Sequence, residues 1–150
     1  MCIRDRKSCD WFLLDYPMHD AFKHLCEDLG KIYTENDAFY DQDYDPSRFC
    51  WIDADNVGQN TFSFIRRGSK KDFVIIMNFS TNPYDHQQFG VPCKGKYKEI
   101  LNTEWDEYNG NLKNHTPQEV QAMRLPRHNQ PYMIEVNVPS FGAMIYEVEK

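Results

Sequence analysis

The chain has 150 residues, of which 41% are hydrophobic, a size that suits one compact domain or one domain plus part of another. Its formal net charge of -6 argues against a nucleic-acid partner, whose phosphates would be repelled. The sequence contains no apolar run long enough to cross a membrane, so we expect no membrane partner.

The five cysteines, at positions 2, 9, 26, 50 and 93, show neither a CxxC pair nor the spacing of zinc ligands. An odd number without a disulfide framework is typical of unpaired thiols in a reducing compartment. We therefore expect a cytoplasmic protein that uses no metal and no other cofactor.

The first predicted element is a helix that begins at Pro17. Residues 1–7 lack any pattern or cap, and we interpret them as a non-native or disordered lead. Proline suits the first turn of a helix, and Asp20 follows where the helix dipole favours negative charge. An apolar stripe then recurs with helical spacing, and a short helical turn is expected at 37–40. The stripe comprises Phe22, Leu25, Cys26, Leu29, Ile32 and Tyr33.

The segment 61–79, TFSFIRRGSKKDFVIIMNF, predicts a central hairpin. Phe62 and Phe64 alternate with Ser63, as in a half-buried strand, whereas 73–77 is apolar throughout, as in a strand covered on both faces. Gly68 is expected to supply a positive φ in the polar turn between them.

Further strands are predicted at 49–52, 87–91, 96–101, 132–138 and 143–148, and 87–91 is expected at a sheet edge. Residues 102–126 are polar and weakly patterned, so they predict a long loop. One helix followed by about seven strands, without strand–helix alternation, indicates a mainly β fold: an antiparallel β-sandwich preceded by a helix.

No catalytic group of residues is evident from the residues alone. The acidic side chains at 41, 43, 45, 53 and 55 lie in turns, and His19 and His24 are five apart, which does not suit one helix face. Tryptophan rings can stack on sugars, and the candidates for substrate binding are Trp11 and Trp105. Core packing is the expectation for Trp51, which lies inside a strand, whereas the polar loop around Trp105 favours exposure.

Several sequence segments resemble segments of glycogen branching enzymes (1,4-α-glucan branching enzymes), and they occur in the same order and at the same spacing as in that family. They are DWFLLDYPMH at 10–19, Asp28-Leu29, Tyr33, FCWID at 49–53, SFIRR at 63–67, Asn78-Phe79, FGVP at 89–92 and KEILN at 98–102. The chain departs from that family at 108–111, YNGN, where a glycine-rich loop is usual. It departs again at 138–141, VPSF, where the family has Leu-Pro-Pro-Leu.

The resemblance implies that residues 8–40 are the helical tail of a catalytic (β/α)₈ barrel and that residues 41–150 form the C-terminal β-sandwich. Such enzymes pass a segment of α-1,4-glucan to a sugar 6-hydroxyl through a covalent glycosyl-enzyme, which requires two opposed carboxylates. In the family those carboxylates precede the matched segment. The resemblance therefore implies that this chain alone is inactive, that its partners are the barrel and an α-glucan such as glycogen, and that none of its residues is catalytic.

Two alternatives stay open at this stage. One is the C-terminal domain of a related hydrolase of the α-amylase family, and the other is an independent carbohydrate-binding module. An apolar stripe made to pack on a barrel argues against the module, and the string at 10–17 favours a branching enzyme over a hydrolase.

Overall fold

The computed structural model describes residues 10–114 and 116–149, so the predicted lead at 1–7 and residues 8 and 9 lie outside the described residues. A 3₁₀ segment, Trp11–Asp15, precedes helix α1, Pro17–Glu35, and eight strands follow within the described ranges. The strands are β1 Phe49–Asn56, β2 Thr61–Arg67, β3 Lys71–Asn78, β4 Tyr84–Val91, β5 Lys96–Asn102, β6 Glu119–Gln121, β7 Tyr132–Val138 and β8 Ala143–Glu149.

The strands form two antiparallel sheets, which confirms the predicted mainly β fold. The larger sheet has the order β1-β2-β3-β8-β5-β6, and the smaller sheet pairs β4 with β7. Each strand pair is antiparallel. The predicted strand at 87–91 does lie at an edge, since β4 pairs only with β7. The core between the sheets includes the fully buried Tyr97, Ile134 and Tyr146.

Strand β3 is the centre of the molecule, as the sequence predicted. Ile75 of β3 pairs with Phe64 of β2 on one side and with Ile145 of β8 on the other. Val74 and Ile76 point into the core between the two sheets. Phe73 and Ile75 point the other way, into a second cluster with Ala38, Leu101 and Ile145. The strand is therefore covered on both faces.

Helix α1 supplies part of that second cover. It begins at Pro17, as predicted, and Asp20 lies in its first turn. Leu25 and Ile32 pack against the cluster that contains Phe73 and Ile75. The molecule thus has three layers, in which the larger sheet lies between the helix and the smaller sheet.

The turn between β2 and β3 is shorter than the sequence indicated, and Gly68 serves a different purpose. The φ of Gly68 is not in the left-handed region, so the predicted positive φ is wrong. Instead, a Cβ at this position would lie 2.6 Å from both the Asp37 Oδ1 and the Lys71 carbonyl oxygen. Glycine is needed here because the chain after the helix passes against the hairpin.

Arg66 fixes the connection between the helix and the sheet. Its Nε donates to the Ala38 carbonyl oxygen at 2.9 Å, and its Nη2 donates to the Phe39 carbonyl oxygen at 3.3 Å and pairs with Asp43. The Ser69 N–H also donates to the Asp37 Oδ2 at 2.8 Å. Hydrogen bonding from the Ser69 side chain, followed by that from the Ser69 N–H, holds the pKa of the Asp37 carboxyl below its usual range. The predicted helical turn at 37–40 is a hydrogen-bonded turn pinned to the hairpin.

The long loop predicted at 102–126 contains regular structure. It includes a 3₁₀ turn at Asp106–Tyr108 and strand β6, which pairs with β5 through Lys96–Gln121, Tyr97–Val120 and Lys98–Glu119. Sequence patterning missed β6 because only three residues pair, and only Val120 among them is apolar.

The double-sided burial of β3 predicts a large difference between two matched substitutions. Ile76→Asp would place a carboxylate in the core between the sheets and should lower the free energy of unfolding by several kcal/mol. Val57→Asp, at a side chain that is 90% exposed, should change it by no more than about 0.5 kcal/mol. Urea unfolding of both variants measures the difference, and equal losses would contradict a doubly covered β3.

Candidate functional site

An exposed aromatic patch lies on the larger sheet where its edge strand β1 meets β2. It consists of Phe49, Trp51 and Phe64, and Trp51 is 51% exposed. The Trp51 and Phe49 ring centroids lie 5.0 Å apart at an interplanar angle of 87°, and the Phe49 and Phe64 rings stack at 5.3 Å. Trp51 pairs with Phe64 across the strands, which places the patch on the same sheet face as helix α1.

The patch contradicts the expectation that Trp51 is a core residue. A tryptophan in a strand is buried only if another layer covers that part of the sheet, and β1 is the edge strand of the larger sheet. The neighbouring rings of Phe49 and Phe64 hold the indole in place with edge-to-face contacts while leaving about half of it open to solvent. The aromatic alternation Phe49-x-Trp51 on an edge strand was the sequence signal for this patch.

The prediction for Trp105 differs from the structure in the opposite direction. Trp105 is only 6% exposed, so the predicted exposure is wrong. The loop folds back over it: the Gly110 N–H donates to the Trp105 carbonyl oxygen at 2.9 Å, and the Leu112 N–H donates to the Glu104 carbonyl oxygen at 2.8 Å. Its ring also stacks on that of Tyr108, at 6.1 Å between centroids. A ring covered in this way has no face open for stacking on a sugar.

Trp11, the other predicted site residue, is 69% exposed and lies in the 3₁₀ segment before α1. The exposed side chains of Phe12, in the same segment, and of Tyr16, directly after it, accompany Trp11. The structure therefore does not bring Trp11 and Trp105 together as one site, since the two differ in both location and exposure.

Helix α1 has a second apolar face, which the sandwich does not cover. This outer face consists of Met18, Phe22, Leu29 and Tyr33, all exposed, and Phe22 is 65% exposed. Their spacing of four, seven and four residues places them on one side of the helix. The predicted stripe is thus divided, because Leu25 and Ile32 pack on the sheet whereas these residues face solvent. Exposed apolar patches of this kind mark surfaces that other protein covers.

The helix is held on the sandwich by a polar contact as well. The Tyr108 hydroxyl donates to the Asp28 Oδ2 at 2.9 Å, and the Lys31 Nζ donates to the Asp28 Oδ1 at 2.8 Å. The Lys31 hydrogen bond is the largest reason that the pKa of the Asp28 carboxyl lies below its usual range, and partial burial opposes it. The pKa of the Tyr108 hydroxyl is raised. Burial is the largest cause, and the hydrogen bond to Asp28 is the second. Asp28 therefore fixes the orientation of α1, and with it the direction of the outer face.

Within residues 10–114 and 116–149, no group of three or more His, Cys, Asp and Glu side chains is arranged to hold a metal ion. A search of the described residues for a helix long and apolar enough to cross a membrane finds none. The aromatic patch and the outer face of α1 are two exposed apolar surfaces of the described chain and are candidates for binding.

These features define an antiparallel all-β domain whose helix side presents apolar and aromatic surface. A family described as "Alpha amylase, C-terminal all-beta domain" matches residues 51–149. The match covers most of the chain, and the chain belongs to this family.

The curated relatives match a longer part of the chain. A 1,4-alpha-glucan branching enzyme GlgB from Geobacillus stearothermophilus is 35% identical over 144 residues, or 95% of this chain and 22% of the relative. The enzyme of the same name from Bacillus caldolyticus is 36% identical over 142 residues, or 93% of this chain and 21% of the relative. The chain thus spans about a fifth of the length of these relatives.

Among solved structures, an alpha-amylase from H. orenii aligns with 87% of this chain and 20% of its own, at 17% identity and a TM-score of 0.48. A GH30 endoxylanase from Clostridium papyrosolvens aligns with 68% of this chain and 24% of its own, at 11% identity and a TM-score of 0.45.

The two faces of α1 predict opposite effects of the same substitution. Phe22→Asp combined with Leu29→Asp should reduce self-association and cost only about 0.5 kcal/mol per site, the helix-propensity penalty of Asp. Leu25→Asp, on the inner face, should lower the free energy of unfolding by several kcal/mol because it places a charge against the sheet. Solution mass and urea unfolding measure both effects. Equal destabilisation by the outer and inner variants would contradict the assignment of the two faces.

Proposed function

We propose that this chain is the C-terminal part of a 1,4-α-glucan branching enzyme, which moves a segment of α-1,4-glucan to a 6-hydroxyl and so forms the α-1,6 branches of glycogen. The observation that carries this proposal is the extent of the similarity. Relatives named as branching enzymes match 95% of the chain, whereas the all-β family alone begins at residue 51. The similarity therefore includes the helix as well as the sandwich.

Under this proposal, residues 8–40 are the tail of the catalytic barrel and residues 41–150 are the C-terminal sandwich. The outer face of α1 is then the surface on which the barrel packs. Covering Phe22, Leu29 and the neighbouring apolar side chains would stabilise the assembly by roughly 1.5–3 kcal/mol for each side chain fully buried. The carboxylates that perform the transfer belong to the barrel, and the chain alone is inactive.

The two alternatives account for less of the molecule. An independent carbohydrate-binding module gives no role to the exposed outer face of α1. The C-terminal domain of a related hydrolase would use that face in the same way, but the most similar curated relatives that we report carry the name of a branching enzyme. Cys26 and Cys50 form no disulfide bond within the described residues, which fits the cytoplasmic location that we propose for the enzyme.

The exposed indoles of Trp11 and Trp51 are the surfaces that we propose for contact with α-glucan. A tryptophan ring offers a flat apolar face to the C–H side of a sugar ring, and its position must be fixed for this contact to favour binding. Trp51 meets that condition, since Phe49 and Phe64 hold it on the sheet.

A chimeric enzyme tests the proposed function. We expect the Geobacillus stearothermophilus enzyme, with its C-terminal part replaced by this chain, to branch amylose, while the chain alone does not. Phe22→Asp with Leu29→Asp should abolish assembly of the chimera, whereas Val57→Asp should preserve it. An iodine-stain assay and a branch-linkage assay give the readout. Branching by the isolated chain above a heat-inactivated control, or a folded chimera without activity, would refute the proposal.

The role of the aromatic patch has its own test. Trp51→Ala should weaken binding of the chain to glycogen roughly tenfold, which corresponds to about 1.4 kcal/mol. Phe141→Ala is the control, because Phe141 is an exposed aromatic residue in a loop away from the patch. Affinity electrophoresis in glycogen-containing gels compares the variants. If both substitutions weaken glycogen binding equally, or if neither weakens it, Trp51 is not part of a glucan-binding surface.

A further inference from the structure

A cavity of about 420 Å³ lies at one end of the sandwich, between the end of β5 and the end of β7. It is separate from the aromatic patch, since neither β1 nor β2 contributes to its lining. Its volume falls within the range of small-molecule sites in proteins. The side chains of Asp85, Asn111, Gln118 and Asn137 line it and are exposed, so the cavity opens to solvent.

A buried polar pair shapes one wall of this cavity. Glu99 is 2% exposed and Asn102 is 3% exposed, and the Asn102 Nδ2 donates to the Glu99 Oε1 at 2.9 Å. The Glu104 N–H donates to the Asn102 Oδ1 at 3.0 Å, and the Gln118 N–H donates to the Glu99 Oε2 at 3.1 Å. The pair therefore fixes both ends of the segment that carries Glu104, Asn111 and Gln118.

The opposite wall is fixed in a similar way. Asn78, which is buried at the end of β3, donates from its Nδ2 to the carbonyl oxygens of Asn82 and Pro139, both at 2.8 Å. These two hydrogen bonds hold together the turn before β4 and the turn after β7. The Asn137 Oδ1 in turn accepts the His86 N–H at 2.9 Å. Hydrogen bonds made by buried side chains, Glu99 and Asn102 on one side and Asn78 on the other, thus shape both sides of the cavity.

The chemistry of the lining selects a class of ligand. It combines side-chain amides, which both donate and accept hydrogen bonds, with the carboxylates of Asp85 and Glu104, which accept them from hydroxyl groups. Among the described residues that line it, none is a lysine, an arginine or a histidine, which disfavours an anion. Leu112, Pro83 and Pro139 add apolar surface that suits the C–H face of a sugar ring.

Some of these polar groups are committed and others are available. The Glu104 Oε2 accepts from the Asn111 Nδ2 at 2.7 Å and from the Asn111 N–H at 3.2 Å. The side chains of Asp85 and Gln118, by contrast, make no hydrogen bond to another described residue. A fixed network with available amide and carboxylate groups at its mouth is the arrangement that binds neighbouring hydroxyls of a neutral sugar.

We propose that this cavity is a second glucan subsite, which holds one or two sugar units of an α-1,4-glucan through the Gln118 amide and the Asp85 carboxylate, beside the amides of Asn102, Asn111 and Asn137. The choice of α-glucan among neutral sugars rests on the proposed function. The existence of a neutral-sugar site rests on the cavity itself.

Titration of the chain with maltose, followed by NMR of the side-chain amides, tests the proposal. The amide signals of Asn102, Asn111, Gln118 and Asn137 should shift at millimolar maltose, while that of Gln121, outside the cavity, should not. Gln118→Leu combined with Asp85→Leu should weaken this response at least tenfold, and Gln121→Leu, the matched control on β6, should leave it unchanged.

The other outcomes are informative in different ways. If calcium chloride or inorganic phosphate shifts these amide signals and maltose does not, the proposal of a neutral-sugar site is wrong. If the cavity amides do not respond to maltose but glycogen binding still depends on Trp51, the second subsite is refuted and the proposed function stands. If the cavity amides do not respond to maltose and glycogen binding does not depend on Trp51, both the second subsite and glucan binding by this domain are refuted.

Discussion

Strand β3 must be covered on both faces, and the three-layer arrangement follows from this constraint. Val74 and Ile76 require a layer on one side, which the smaller sheet and the core between the sheets provide. Phe73 and Ile75 require a layer on the other side, which comes from the helix and from the segment that follows it. Leaving a side chain of this size in water forgoes roughly 1.5–3 kcal/mol, so the sandwich depends on α1.

This dependence explains why the connection after α1 is fixed so closely to the central hairpin. Arg66, on the strand next to β3, binds the backbone of Ala38 and Phe39, and Ala38 is itself part of the cluster beneath the helix. A guanidinium group carries five N–H donors in a rigid planar arrangement, so it can contact two carbonyl oxygens and a carboxylate at once. The helix is therefore packed on the sandwich in a fixed orientation, and its outer face shares that orientation.

The sequence predicted those parts of the fold in which local pattern and burial agree. The continuous apolar run in β3 and the proline at the start of α1 each have one structural interpretation. The apolar stripe of α1 was also recognised, but its division into two faces depends on how far the sheet extends beneath the helix. The spacing of apolar residues along the helix does not show how far the sheet extends beneath it.

The tryptophan predictions failed for a related reason. Exposure of Trp51 depends on the strand order, which makes β1 an edge, and burial of Trp105 depends on backbone hydrogen bonds that fold residues 104–112 over the ring. Both are properties of tertiary structure. The cavity between β5 and β7 could not be predicted either, because its walls come from three separate segments, 83–85, 102–118 and 137–140, that only the sandwich brings together.

The positions of the two glucan surfaces in the proposed enzyme follow from the layers. The aromatic patch and the outer face of α1 lie on the same side of the larger sheet, so a barrel that packs on α1 comes to lie beside Trp51. The polar cavity lies at the ends of β5 and β7, and no residue of α1 lines it. A chain bound at Trp51 would thus be held next to the barrel, whereas a chain bound in the cavity would be held at a distance from it. Under the proposed function, the two surfaces would therefore contact different parts of a branched glucan.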